Sequence, residues 1–434
     1  LKEKGFCKNY FKIFIIYQKS MKQVIFRSRI TNVFKDFTSS EKNAGLVLVF
    51  CAILSVFISN SSIGEHYTHF WHTKIGFDFL GFDLHYSIEH WINDGIMTVF
   101  FLMVGLEIER ELYDGELNPI KNAILPIVAA IGGMLVPALL YSSLNSGLET
   151  ASGFGITMGT DIAFALGILS LAGNKVPVSI KILLTAIAII DDLGSILIIA
   201  LFYGTDLNIA YLFASLGIFA FLLILNRLKV HRMFPYLILG VPMWFFMMQS
   251  GIHPTISGVL LAFAFPFGKS SENSPSIKLQ HMLHLPVGFV ILPLFTLANT
   301  AIPIRAEFVS SLGDAHAIGI ALGLIIGKPL GILSTVFLIL KLKIVKLPKS
   351  VRWIDLLAMG TLAGIGFTMS IFITQLAFTN EVHVQSSKLM ILIASSLAGF
   401  LGLIIFSLKK QSMDSVEELL FDEEQDSIVE TKPK

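Results

Sequence analysis

Two adjacent carboxylates, Asp191 and Asp192, stand in the middle of an apolar run from Val178 to Tyr203, VSIKILLTAIAIIDDLGSILIIALFY. Crossing a bilayer takes about 20 apolar residues, so this run is long enough. An ionised carboxylate at the bilayer centre costs at least about 2.5 kcal/mol on insertion scales, and two neighbours also repel each other. A chain retains such a pair only where something binds, and carboxylate oxygens suit hard cations and protons. The pair therefore restricts the chain to folds in which membrane helices enclose a polar site.

Composition agrees. Of 434 residues, 54% are hydrophobic and 15% charged, with a mean hydropathy of +0.74. Soluble domains carry nearer a quarter charged residues. The 36 Phe against 4 Trp suit lipid-facing helices. Cys7 and Cys51 give neither a disulfide framework nor a metal-ligand spacing. No haem, flavin or nucleotide motif is present, so no cofactor is expected. A nucleic-acid partner has no support beyond the basic N-terminus. Residues 1–42 read as a basic tail rather than a cleaved signal, because the apolar patch Phe14–Tyr17 is too short and no small-residue cleavage site follows. A chain starting at Leu1 is unusual, and Met21 is a candidate start. Residues 43–409 read as the membrane domain and residues 410–434 as an acidic tail (EELLFDEEQD).

Hydropathy gives about twelve spans, with cores at 43–60, 92–106, 122–142, 153–172, 177–203, 208–225, 233–249, 251–268, 284–304, 316–340, 354–378 and 389–408. Alternating the loops places 28 of the 32 Lys and Arg on one side and three, Lys74, Arg305 and Lys388, on the other. That split predicts both termini in the cytoplasm, and a missed helix would scramble it. The segment Lys74 to Tyr86, KIGFDFLGFDLHY, alternates apolar and polar around Gly81 and predicts a short external β-hairpin.

Two spans are dense in glycine: GFGITMGTDIAFALG (Gly153–Gly167) and GTLAGIGFTMSIFI (Gly360–Ile373). Helix packing through small residues is one reading. Asp161, beside the first cluster, favours the other, in which both helices break at mid-depth around a transport site. Four half-helix ends then meet, each with about half a charge. Asp161 is placed to offset the two positive ends. Lys328, in LGLIIGKPLGILS, is placed to offset the negative ones and is too deep to snorkel comfortably, so it needs a carboxylate partner or a lowered pKa.

The segments TDIAFALG (Thr160–Gly167), AIIDDLGSI (Ala188–Ile196), IGKPLGI (Ile326–Ile332), GIGFTMSIFI (Gly364–Ile373), WINDGIMTVFFLMVGLEIERE (Trp91–Glu111) and SGIHPTISGVLLAF (Ser250–Phe263) are similar, in order and spacing, to those of the NhaA family of bacterial sodium/proton antiporters. The resemblance covers roughly residues 40–410. It implies an all-α membrane protein of twelve helices in inverted-topology repeats, with two discontinuous helices crossing at mid-membrane. It also implies an inner-membrane homodimer joined through the external hairpin Lys74–Tyr86. The implied activity is electrogenic export of Na⁺ or Li⁺ against protons, switched on at alkaline pH.

By position, Asp192 takes the main cation-binding role and Asp191 the proton-exchanging one. Thr160 and Asp161 match the polar pair at the crossing, Lys328 matches the partner of Asp191, and Gly364 and Gly366 match the broken-helix backbone. Glu107, Arg110 and Glu111 match a charged cluster tied to pH response, and His253 matches a histidine near the membrane surface. Gln280 stands where better-known members carry an acid, and Glu109 replaces a basic residue found in some relatives, two changes expected to shift the pH threshold or weaken the sensing.

Successive helix residues point about 100° apart, so Asp191 and Asp192 cannot face each other as a protease dyad. The expectation is that Asp192 faces a funnel and binds dehydrated cation, with backbone carbonyls or Thr160 as further ligands, while Asp191 leans on Lys328. The alternatives are a sodium-coupled symporter on the same fold, a channel, or an intramembrane protease. A single asymmetric acid cluster speaks against a channel, and the sequence carries no serine or zinc motif for a protease.

Overall fold

The computed structural model describes residues 41–79, 81–115, 120–173, 176–204, 207–267, 274–345, 347 and 351–408. The basic tail with Cys7 and Met21, and the acidic tail after Lys410, lie outside the described residues. Helices stand at all twelve places read from hydropathy. In chain order they are α1 (Glu41–Ser59) with its offshoot α2 (Gly64–His72), α3 (Ile88–Tyr113), α4 (Ile120–Asn145), a 3₁₀ helix (Glu149–Thr157) followed by α5 (Ile162–Leu171), and α6 (Val178–Phe202). Then come α7 (Ile209–Arg227), α8 (Met233–Gln249), α9 (Ile256–Ala264), α10 (Pro275–Asn299), the short α11 (Ala306–Ser310), α12 (Ala315–Lys341), α13 (Trp353–Ala363), α14 (Phe367–Ala377) and α15 (Glu381–Leu408). Among the described residues, seven single helices are long and apolar enough to span a bilayer. Large apolar side chains such as Phe57 (74% exposed) and Leu201 (75%) cover the outer surface, the reverse of a water-soluble domain.

Between α2 and α3 the predicted hairpin is present. Strands β1 (Lys74–Ile75), β2 (Asp78–Phe79), β3 (Phe82–Asp83) and β4 (Tyr86–Ser87) form two nested antiparallel ladders, Lys74 opposite Ser87 and Asp78 opposite Asp83. Gly81 turns the tip with φ +86°, a left-handed conformation that glycine adopts without steric cost.

Both glycine-dense spans are broken. The 3₁₀ helix meets α5 at 49°, and α13 meets α14 at 44°. The breaks are bonded to each other: Asp161 N–H donates to Ile365 O (2.7 Å), and Thr160 Oγ1 donates to Ala363 O (3.0 Å). The first half-helix is 3₁₀ over nine residues rather than α. Its slender backbone lets Tyr141 and Tyr203 close in at Gly153 and Gly155, where added Cβ atoms would lie 2.3 and 2.6 Å from the two phenolic oxygens.

Three helix boundaries differ from the hydropathy reading. The segment KLQHMLH (Lys278–His284) is the first part of α10, not a loop, with only Leu279 and Gln280 buried. Around α9, Gly251 (φ +84°) and Pro254 shorten the helix to nine residues. Lys388, read as a loop charge, lies inside α15, 4% exposed, with Nζ 3.3 Å from Glu89 Oε1. The polar stretch EVHVQSSK is helical because other helices, not lipid, surround it.

Candidate functional site

The site begins with the close crossing of α4 and α12. A Cβ on Gly331 would fall 2.1 Å from Gly132 O, so only glycine permits this approach. One turn before Gly331, directly after a π-helical turn (Gly323–Gly327), comes Lys328, fully buried. Its Nζ lies 2.5 Å from Asp191 Oδ2 and 2.8 Å from Thr160 Oγ1. The Thr160 hydroxyl lies 2.8 Å from the same Asp191 oxygen. Thr160 therefore belongs to the Asp191–Lys328 pair rather than standing free as a cation ligand, and through Ala363 O it joins that pair to the C-terminal end of α13. A buried ion pair of this kind resists loss of either partner, because the charge left behind has no compensation.

Asp161 caps both half-helices that start at the crossing. Its Oδ1 accepts from Phe164 N–H at the N-terminus of α5 (3.0 Å). Its Oδ2 accepts from Thr368 N–H (3.1 Å) and Thr368 Oγ1 (2.6 Å) in the first turn of α14. One carboxylate thus answers two helix dipoles, the placement its position beside the glycine cluster predicts. Gly364 is required on the opposite flank, where a Cβ would lie 2.2 Å from Leu324 O of α12.

Asp192, one residue on from Asp191, turns away from Lys328 and borders a cavity of about 330 Å³. Thr160, Asp161, Glu107, Arg110 and Gln280 share its lining. Asp192 is 3% exposed, and its Oδ1 accepts no hydrogen bond among the described residues; the same holds for Asp191 Oδ1 and Ser195 Oγ. The Asp192 carboxylate on the cavity lining, with oxygens of Asp191 and Ser195 on the same helix also without donors among the described residues, is the kind of oxygen set a hard monovalent cation or a proton would take.

Of the residues matched to a pH-responsive group, Glu107 and Arg110 line this cavity, and Glu111 pairs with Arg110. Arg110 lies 2.9 Å from Glu111 Oε1 and 3.8 Å from Glu107 Oε1. His253 does not join them. It sits at the far end of α3, with Nε2 3.5 Å from Asp94 Oδ1 and Nδ1 2.7 Å from Thr255 Oγ1. Gln280 lines the cavity, with Oε1 unpartnered. Glu109 faces the α3–α10 interface instead, buried and accepting from Ser276 Oγ (2.7 Å). Of these two positions, Gln280 lines the cavity and Glu109 does not. Two contributors escaped the sequence reading. Ser195 follows Asp192 by one helical turn, a spacing that signals a shared face. Thr368 falls in the glycine-dense span GTLAGIGFTMSIFI, where nothing else singled it out.

Broken helices bonded at their breaks, an acid–base cluster at the crossing and a cavity reaching it from one end define a multi-pass membrane carrier of ions. The sequence profile described as Na⁺/H⁺ antiporter 1 matches residues 35–406. The chain is 57% identical over 381 residues to the Na⁺/H⁺ antiporter NhaA of Flavobacterium psychrophilum, covering 88% of this chain and 97% of that one. It is 53% identical over 376 residues to NhaA 1 of Flavobacterium johnsoniae (87% and 97%), and 44% identical over 393 residues to NhaA of Vibrio campbellii (89% and 98%). The chain belongs to the NhaA family of Na⁺/H⁺ antiporters.

Proposed function

We propose that this protein exchanges cytoplasmic Na⁺, or Li⁺, for external protons by alternating access in the bacterial inner membrane, with both termini in the cytoplasm. The observation that carries the reading is the Asp192 carboxylate at the end of the cavity, with an unpartnered oxygen, beside the buried Asp191–Lys328 pair. A cation and a proton compete for the same oxygens, so exchange is obligatory without two separate pathways. Asp192 binds the cation. Asp191 and Lys328 form the second titratable unit, which electrogenic exchange requires if more protons than cations are moved. Thr160 holds that unit, Asp161 fixes the two half-helices, and Gly364 and Gly366 leave the α13–α14 break free to shift as one bundle rocks against the other.

Alkaline activation follows in sign from the competition, because acid occupies the carboxylate. The Glu107–Arg110–Glu111 cluster at the cavity mouth is placed to sense it. Dimerisation through Lys74–Tyr86 is supported by the exposed Ile75 and Phe77 on that hairpin, apolar side chains that a second copy would cover.

The test is collapse of a ΔpH in inside-out vesicles on adding Na⁺, Li⁺ or K⁺. Na⁺ and Li⁺ are expected to collapse it and K⁺ is not, and Asp192→Asn is expected to abolish the response. Near-normal exchange in Asp192→Asn overturns the assignment.

A further inference from the structure

Among the described residues the cavity borders the crossing at Thr160, Asp161 and Thr368, and beyond Thr368 along α14 the packing is built in two layers. Along α14, Thr368 bonds Asp161 at the site. One turn further, Phe372 packs against Phe101 of α3 (ring centroids 5.4 Å) and Phe295 of α10 (6.3 Å), all three buried. Another turn on, the same three helices each supply an amide: Gln375, Asn93 and Asn299. Asn93 Nδ2 donates to Gln375 Oε1 (2.5 Å), Asn299 Nδ2 donates to Asn93 Oδ1 (2.8 Å), and Gln375 Nε2 donates to Asn299 Oδ1, which closes a ring. Gln375 Nε2 also donates to Glu89 Oε1 (2.6 Å), which accepts from Lys388 Nζ of α15 (3.3 Å). Every oxygen and nitrogen of the three amides has a partner.

Polarity here needs a reason. A permanent closure between membrane helices is made more cheaply from apolar side chains, since buried amides gain little over well-packed hydrocarbon. A completed ring of amides differs from an apolar seal in how it opens. Parted without water, each amide would lose its partners in a low-dielectric interior; parted with water, each regains them. The ring is therefore stable closed and stable wet, with a barrier between. Opened, its three carbonyl-type oxygens also suit a partly hydrated Na⁺.

We propose that Asn93, Asn299 and Gln375, latched by Glu89 and Lys388, form the gate on the hairpin side of the site. The cation held at Asp192 leaves past Phe372 when this ring parts. The proposal rests on the transport reading above and adds to it the residues of the second access path.

The test joins Asn93→Cys and Gln375→Cys in a chain also carrying Cys7→Ser and Cys51→Ala, using a short, cleavable bifunctional thiol reagent. Without the reagent, the variant, which has lost two amides of the ring, is expected to exchange Na⁺ for protons measurably but more slowly than wild type. Cross-linked, it is expected to lose exchange yet still be stabilised thermally by Na⁺, which enters from the cavity side. Cleaving the linker is expected to restore exchange. A cross-linked protein that exchanges at the uncross-linked rate overturns the gate, whereas a wild-type protein that does not exchange overturns the transport reading instead. If the double variant is inactive before cross-linking, Gln375→Cys alone is labelled with a membrane-impermeant thiol reagent. Reaction from the hairpin side that speeds up when Na⁺ and a pH gradient are applied supports the gate. Reaction only from the cavity side, or none during turnover, overturns it.

Discussion

Asp191 and Asp192 are neighbours in sequence with opposite structural roles, and substitution should separate them. Asp192 Oδ1 holds no hydrogen bond among the described residues. Asp192→Asn is therefore expected to melt within a few degrees of wild type while losing exchange. Lys328→Ala strips Asp191 of its partner at zero exposure and is expected to destabilise by about 3 kcal/mol, seen as a clear drop in melting temperature along with lost exchange. Unchanged melting would contradict the role given to the pair. These charged residues were legible in the sequence because charge inside an apolar run is rare enough to stand out. Gln375 was not legible, because one amide in an apolar helix looks like any tolerated polar residue until Asn93 and Asn299 are seen beside it. Lys388 was misread because hydropathy reports contact with lipid, and its helix begins among protein.

The helix breaks are held by single atoms, and this sets expectations at the level of elements. Asp161 caps α5 and α14 together, so Asp161→Ala removes two caps, each worth about 1 kcal/mol. A destabilisation of about 2 kcal/mol is expected. Asp161→Asn, which keeps one acceptor oxygen, should fall between that variant and wild type in thermal melts. Gly364→Ala drives a methyl toward Leu324 O, 2.2 Å away. It is expected to push α12 from the α13–α14 break and lower both melting temperature and exchange rate; an unaffected variant would show that the break tolerates a wider spacing. Glycine density revealed that both helices break. It could not reveal that one half-helix is 3₁₀, with Tyr141 and Tyr203 packed against its glycines.

Across the whole molecule, one end of the site opens to a cavity carrying Glu107, Arg110 and Asp192, and the other is shut by phenylalanines and a ring of amides. The places of the apolar helices and their order were readable from apolar runs. The asymmetry between the two ends was not readable, because it arises where α3, α10 and α14 meet far apart in sequence. Such a molecule works only if the site admits a cation or a proton and never both. The direct measurement is the apparent Na⁺ affinity of exchange in proteoliposomes at a series of pH values. Competition at one carboxyl predicts that the Na⁺ concentration for half-maximal rate rises by about tenfold for each unit of acidification in the limiting range, with the maximal rate recoverable at high Na⁺. A half-maximal concentration that stays constant while the maximal rate falls with acidity would contradict it.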